Sequence, residues 1–330
     1  MQRFRIGDHI GIFSPSSPAT VTAAPRFNRA KKFLTEKGFQ IIEGQLTGKQ
    51  DGYRSGSPKE RAEELNQLIR NPDIKMIMST IGGTNSNSML PYIDYEAFQL
   101  NPKLIVGYSD VTVILLALYA KTGIPTYYGP AFIPSFGEFE PLVHETYRYF
   151  EQFFIREQKL PYSIEIPPLW TEDSVNWLEK TYEKKLKNNE WITVNSGIAE
   201  GRLIGGNLNA IYGSIGSPFM PKFKKGDILL IEDSIKNAET VEKNFAMLKN
   251  HGVFNLVSGI VVGKYERFDD MGTGKKPYEI LTEIIDNPSI PLLAEFDSCH
   301  THPMIPMPIG RKVRLDAANK TVELVENWIV

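Results

Sequence analysis

The stretch Leu104-Ile105-Val106-Gly107-Tyr108-Ser109-Asp110 constrains the fold more than any other part of the chain. A short apolar, β-branched run ends at Gly107, and from Asp110 onward Val113, Leu115, Leu116, Leu118 and Tyr119 crowd a segment of helical length. A strand and a helix this apolar, joined by a tight turn, fit a parallel sheet covered on both faces. Ser109 then stands at a strand-to-helix turn, its hydroxyl clear of the sheet and the unpaired first N–H groups of the helix beside it. Acyl-transfer enzymes place their nucleophile at such a turn, in the pattern G-x-S-x-G. Here Val111 occupies the position of the second glycine, and a plain helix-capping role for Ser109 is the competing reading.

The preceding residues repeat the same alternation. His9 to Phe13 reads as a buried strand, followed by the turn-rich Ser14-Pro15-Ser16-Ser17-Pro18, a helix from about Ala24 to Lys37 closed by Gly38, and a strand from Phe39 to Ile42. Ser57-Pro58-Lys59-Glu60 carries a capping box with proline at the first helical position and predicts a helix to about Arg70. Ile74 to Ser79 is the next strand, and it runs into Gly82-Gly83. Strands alternating with helices over short connections give an α/β fold with a parallel sheet. Ligands bind at the carboxyl ends of such strands. Gly83 is therefore expected to supply an oxyanion donor beside the N–H of Asp110, a tight turn being the alternative.

Tyr147, Phe150, Phe153 and Phe154 predict a helix over about 141–155 that closes a first domain, 1–160. Residues 161–199 carry Pro161, Pro167 and Pro168, with Trp170, Trp177 and Trp191, and read as linker and lid. The lysine-rich run from Glu179 to Glu190 is expected to be a solvated helix face. A second domain, 200–330, holds expected strands at 228–231, 259–263, 291–294, 312–315 and 321–325 and a helix over 238–250. The net charge of −2, with no basic run, argues against a nucleic-acid polymer as partner and for a small substrate. A single cysteine, no signal-like leader and no run of about 18 apolar residues point to a cytoplasmic protein without a membrane span.

Serine attack needs a base, and the base needs an orienting acid. Of five histidines, His9, His144 and His251 sit where structural roles suffice, whereas His300 and His302 lie in the proline-bounded loop Glu295 to Pro303. Glu232 follows the apolar run Ile228 to Ile231, and a carboxylate at the mouth of a buried strand needs a partner such as an imidazole. Helix capping by Glu232 or Asp233 is the bland alternative. His300, His302, Cys299 and Asp297 could instead hold zinc, but no second cluster supplies spaced ligands. Nothing near Cys299 predicts a reactive thiolate.

These residues resemble the LD-carboxypeptidase family of serine peptidases and, within it, the microcin C immunity branch. The resemblance rests on Ile81 to Tyr95, Gly107 to Thr112, Gly205-Gly206-Asn207-Leu208-Asn209, Ile231 to Lys236, His300 to Met304 and Pro308-Ile309-Gly310. It implies a triad of Ser109, Glu232 and His300, an oxyanion hole from the N–H groups of Gly83 and Asp110, no metal or other cofactor, and a homodimer. It also implies a Rossmann-like first domain, a smaller β-rich second domain and a site between them. His302 and Cys299 depart from the branch, which usually has an acidic residue and a glycine there. The branch hydrolyses the amide joining an aminoacyl group to a nucleotide. The wider family releases terminal D-alanine from peptidoglycan tetrapeptides. On this resemblance Asn209 and Lys236 are expected to bind substrate, and Trp177 is favoured over Trp170 and Trp191 to stack on a base. A non-catalytic small-molecule binding protein is the reading of a different class.

Overall fold

In the computed structural model, which describes residues 3–174, 176, 178–285 and 287–329, strands and helices alternate from the start. β1 (His9–Phe13), helix Ala24–Glu36, β2 (Gln40–Glu43), helix Pro58–Arg70, β3 (Ile74–Ser79), β4 (Leu104–Gly107), helix Thr112–Thr122 and β5 (Thr126–Tyr128) follow in order. The capping box forms as expected. Ser57 N donates to Glu60 Oε2 at 2.8 Å and Glu60 N to Ser57 Oγ at 3.3 Å, which satisfies donors that would otherwise be orphaned at the helix start. A further short helix, Tyr95–Leu100, capped by Asp94, is not evident in the periodicity.

Beyond the helix Leu142–Phe154 come β6 (Tyr162–Ser163), β7 (Leu169–Trp170), β8 (Lys187–Asn188), β9 (Ile192–Asn195), β10 (Ile198–Asn207) and β11 (Ile228–Glu232). After helix Ala238–Asn250 follow β12 (Gly259–Gly263), β13 (Leu292–Phe296), β14 (Met307–Ile309), β15 (Lys312–Asp316) and β16 (Thr321–Leu324). The first sheet has the order β14-β5-β4-β3-β1-β2, and the second β6-β16-β15-β10-β11-β12-β13-β9. In the first sheet β1 to β5 pair in parallel, as an α/β fold requires, while β14 is antiparallel to β5 with Met307 opposite Tyr128. The second sheet is β-rich with a parallel centre, β10 to β13, and antiparallel flanks.

Two expectations change. Glu179 to Glu190 forms no helix; β7 and β8 pair as a small ribbon, and Lys184 turns inward to an ion pair with Glu138 at 2.9 Å. A buried carboxylate on the first domain therefore recruits a lysine that composition alone assigns to solvent. Second, the segment 161–199 is more than linker, because β6 and β9 form the two edges of the second sheet.

The helix Thr112–Thr122 explains its own composition. Thr112 to Leu118 are all buried because the helix lies between the two sheets, with Thr112 Oγ1 accepting from Asn207 N at 3.0 Å. Each fully buried Leu or Ile there contributes about 1.5–3 kcal/mol. Among the described residues no helix is long and apolar enough to cross a membrane.

Candidate active site

The turn after β4 holds Ser109 at φ 61°, in the left-handed region that a side chain with a Cβ rarely adopts. Thr112 Oγ1 donates to Ser109 O at 2.6 Å, and Ser109 N donates to the Tyr128 hydroxyl at 3.2 Å. The Gly82-Gly83 loop lies directly against this turn. A Cβ at Gly82 would stand 3.1 Å from Ser109 Cβ and 3.2 Å from Asp110 N, and one at Gly83, where φ is 155°, would meet Ser16 Oγ at 2.2 Å. Gly83 has no room for a side chain, and one at Gly82 would press on the serine turn. The Asp110 carboxylate fastens the two loops together, with Oδ2 accepting from Asn85 N and Ser86 N at 3.0 Å each and from Ser86 Oγ at 2.7 Å. The sequence pattern points only to the Asp110 backbone, and this clamp by its side chain has no signal there.

Glu232 closes β11 in the second sheet and is fully buried. Its Oε2 lies 2.6 Å from His300 Nδ1, and its Oε1 accepts from the Tyr128 hydroxyl at 2.5 Å and from Asn207 Nδ2 at 3.1 Å. Helix capping is thus not its role. Burial works against charge on His300, but the Glu232 carboxylate, with Glu266 and Asp233 adding to it, outweighs burial and holds the imidazole pKa above its ordinary value. The His300 ring packs edge-to-face on Tyr108, centroids 4.8 Å apart, which seats it beside the serine turn.

Ser109, Gly83 and His300 share one cavity of about 410 Å³, with Glu266, His302, Arg26 and Lys184 also on its walls. Burial raises the Glu266 carboxyl above its usual range. No sequence motif flags this residue. Asn209 and Lys236 are not on the walls of that cavity. They converge on Asp233 instead: Asn209 N donates to Asp233 Oδ2 at 3.1 Å and Lys236 Nζ lies 3.6 Å from Asp233 Oδ1, while Asn209 lines a small neighbouring recess with Asp110 that shares Gly83 with the larger cavity.

The four residues weighed as zinc ligands face different partners. Asp297 pairs with Lys264 at 2.6 Å and accepts from Trp191 Nε1 at 2.8 Å, and Cys299 Sγ lies 3.1 Å from Thr301 Oγ1. His302 Nε2 lies 3.3 Å from Glu138 Oε2, and burial drives its pKa down to about 3 despite that carboxylate. Burial pushes the Cys299 thiol up to about 12, far from a reactive thiolate. Of the tryptophans, Trp191 is fully buried against Phe296 and Trp170 stacks under Lys187 and Lys264, so both have packing roles. Trp177 lies outside the described residues.

A serine on a strained strand-to-helix turn, facing a histidine–carboxylate pair across a cleft between two sheets, is the layout of a serine hydrolase. The chain belongs to the LD-carboxypeptidase family: residues 10–129 match the model of its N-terminal domain and residues 200–315 that of its C-terminal domain. The microcin C7 self-immunity protein MccF of Escherichia coli is 52% identical over 326 residues, covering 98% of this chain and 95% of that protein. A solved structure of MccF in complex with aspartyl sulfamoyl adenosine superposes with a TM-score of 0.97 at 52% identity, over 99% of this chain and 98% of that one. Further structures of MccF include a complex with glutamyl sulfamoyl guanosine, a tryptophan-to-phenylalanine mutant bound to adenosine monophosphate, and an active-site mutant with a serine, an asparagine and a lysine replaced by alanine. An MccF-like protein from Bacillus anthracis matches at 31% identity and TM-score 0.87, covering 99% of each chain.

Proposed function

We propose that this chain is a metal-independent serine carboxypeptidase or amidase that hydrolyses the amide between an aminoacyl group and a nucleotide, with Ser109 as nucleophile, His300 as base and Glu232 as its orienting acid. The observation that carries the reading is its similarity, over nearly the whole chain, to a protein solved with aminoacyl sulfamoyl nucleosides. The positions replaced in the MccF mutants support it further. Asparagine and lysine there are separated by the same number of positions as Asn209 and Lys236, and the mutated tryptophan stands as far from the mutated serine as Trp177 from Ser109.

With Nδ1–H donating to Glu232, His300 Nε2 is left as the free base. Ser109 Oγ attacks the carbonyl carbon while its proton passes to Nε2, and the oxyanion forms against the N–H groups of Gly83 and Asp110. Collapse breaks the C–N bond, the leaving nitrogen takes the proton from Nε2, and water then hydrolyses the acyl-enzyme by the same route in reverse. Glu266, on the cavity wall, is suited to accept the α-ammonium of the aminoacyl group, whose charge would offset the burial that raises its carboxyl. Asn209 and Lys236, both held by Asp233, are assigned to the acyl side. In the cytoplasm, where one buried thiol stays reduced, such an enzyme would meet aminoacyl-nucleotides, and we assign it to a homodimer there.

Two measurements test this reading. Aspartyl sulfamoyl adenosine should be cleaved far faster than a peptidoglycan tetrapeptide, and Trp177→Ala should lower kcat/KM for the nucleotide substrate by about 10- to 100-fold, the loss of one base-stacking contact, while leaving tetrapeptide hydrolysis nearly unchanged. A faster tetrapeptide reaction, with both activities equally reduced in the variant, would assign the chain to wall recycling. Exhaustive chelation should leave the rate within twofold of the untreated enzyme, since the mechanism draws on side chains alone. Inactivation reversed by added zinc would restore the reading in which His300 and His302 are ligands.

A further inference from the structure

Tyr128 ends β5 and is fully buried, yet its hydroxyl has two polar neighbours from opposite sides of the cleft. Ser109 N donates to it at 3.2 Å from the first sheet, and it lies 2.5 Å from Glu232 Oε1 at the end of β11 in the second. A phenol has one proton. Because the Ser109 N–H is a donor only, the hydroxyl must accept on that side and turn its own proton to Glu232. The directions are thereby fixed: Ser109 N–H donates to the Tyr128 oxygen and Tyr128 O–H to Glu232 Oε1, while His300 Nδ1–H donates to Glu232 Oε2 from the other side.

We propose that Tyr128 is a positioning residue of the reaction, holding the nucleophile turn and the orienting acid in one hydrogen-bonded line across the two sheets. The inference rests on the reading of Ser109, Glu232 and His300 given above. Three physical arguments support it. Ser109 occupies a left-handed conformation that is unfavourable for a residue with a Cβ, so its backbone needs fixed partners to keep the hydroxyl in place. Glu232 Oε1 takes both the Tyr128 O–H and an Asn207 N–H, which aims Oε2 at His300 and stops the carboxylate from rotating. A donor on Oε1 also draws charge from the carboxylate, so Tyr128 moderates the pull of Glu232 on the imidazole proton.

The titratable groups that act on His300 are Glu232 at the end of β11, Asp233 after it and Glu266 after β12, with the Tyr108 ring packed on the imidazole and Tyr128 reaching it through Glu232. Among the described residues, Tyr128 is the one of these whose single oxygen meets both Ser109 and Glu232. Removing the hydroxyl should therefore act on two observables together. Tyr128→Phe should slow the labelling of Ser109 by a fluorophosphonate at pH 7 by about 10- to 100-fold, as expected for losing a buried charge-assisted hydrogen bond. It should also raise the His300 pKa by about half a unit or more, read by 15N-histidine NMR, because an unmoderated Glu232 holds the imidazolium more tightly.

Replacing Tyr128 by 3-fluorotyrosine supplies the opposite change at nearly constant volume. A more acidic phenol is a stronger donor, so the His300 pKa should fall and the labelling should stay within a few-fold of wild type. This variant and the NMR readout keep the test decisive if the phenylalanine variant fails to fold. An unchanged His300 pKa in the fluorotyrosine protein overturns the proposal, as does a Tyr128→Phe protein labelled at the wild-type rate. Neither readout uses an aminoacyl-nucleotide. A chain that ignored such substrates yet showed both shifts would uphold the role of Tyr128 and remove only the substrate assignment.

Discussion

Ser109→Ala is expected to lower turnover of aspartyl sulfamoyl adenosine by roughly 10^5-fold or more, the range seen when a triad nucleophile is deleted. The fold should be indifferent to the change. Alanine carries the same Cβ at φ 61° as serine does, and the contacts that hold the turn run through the backbone, from Ser109 N to Tyr128 and from Thr112 Oγ1 to Ser109 O. Ligand affinity by calorimetry should stay within a few-fold of wild type, because the cavity keeps its other walls. Turnover near the wild-type rate would show that another group attacks the carbonyl.

Glu232→Gln is expected to cost about 10,000-fold in kcat, and the structure gives a reason beyond lost charge. At the Oε1 position two donors converge, the Tyr128 O–H and the Asn207 amide, and the Ser109 N–H prevents Tyr128 from turning its proton away. Glutamine must therefore place its carbonyl oxygen there and its NH2 toward His300. The imidazole then accepts at Nδ1 and carries its proton on Nε2, where no base remains. The pH profile adds a second signature. In wild type, kcat/KM should fall as pH drops through the His300 pKa, which the Glu232 carboxylate helps to hold above the ordinary histidine value. With the charge removed, that acid limb should move to lower pH while the plateau collapses. A profile unmoved on both axes would mean that another carboxylate orients His300.

Much of this candidate site, as a set of neighbours, is legible in the sequence, for reasons that differ by residue. Ser109 can be found because the apolar run to Gly107 and the apolar helix after it leave only one place for the turn between them. Glu232 can be found because five buried strand residues end in a carboxylate. Tyr128 leaves no comparable trace. Its strand is three residues long, and its role depends on a partner 104 positions away, a distance over which periodicity carries no information. Glu266 is hidden for the same reason, as a loop residue whose neighbours are set by tertiary packing. The lysine-rich run misleads because charge density describes composition, whereas Lys184 is drawn inward by a single buried carboxylate, Glu138. Met307-Pro308-Ile309 escapes notice as a strand because proline interrupts it, a choice that an edge position tolerates.

That edge strand has a consequence for when the protein becomes an enzyme. β14 leaves the second sheet's part of the chain and adds itself to β5, so the loop bearing His300 is strung between one sheet and the other. The segment around Trp328 then seals the junction, with Tyr127 Oη donating to Trp328 O at 2.7 Å and Trp328 Nε1 to Phe153 O at 2.9 Å. A nascent chain emerging from the ribosome thus carries its serine turn early, with the rim of β5 still unpaired, and receives its base and the strand that covers that rim much later, within one short interval. On the proposed mechanism, hydrolysis has to wait until that interval has been made.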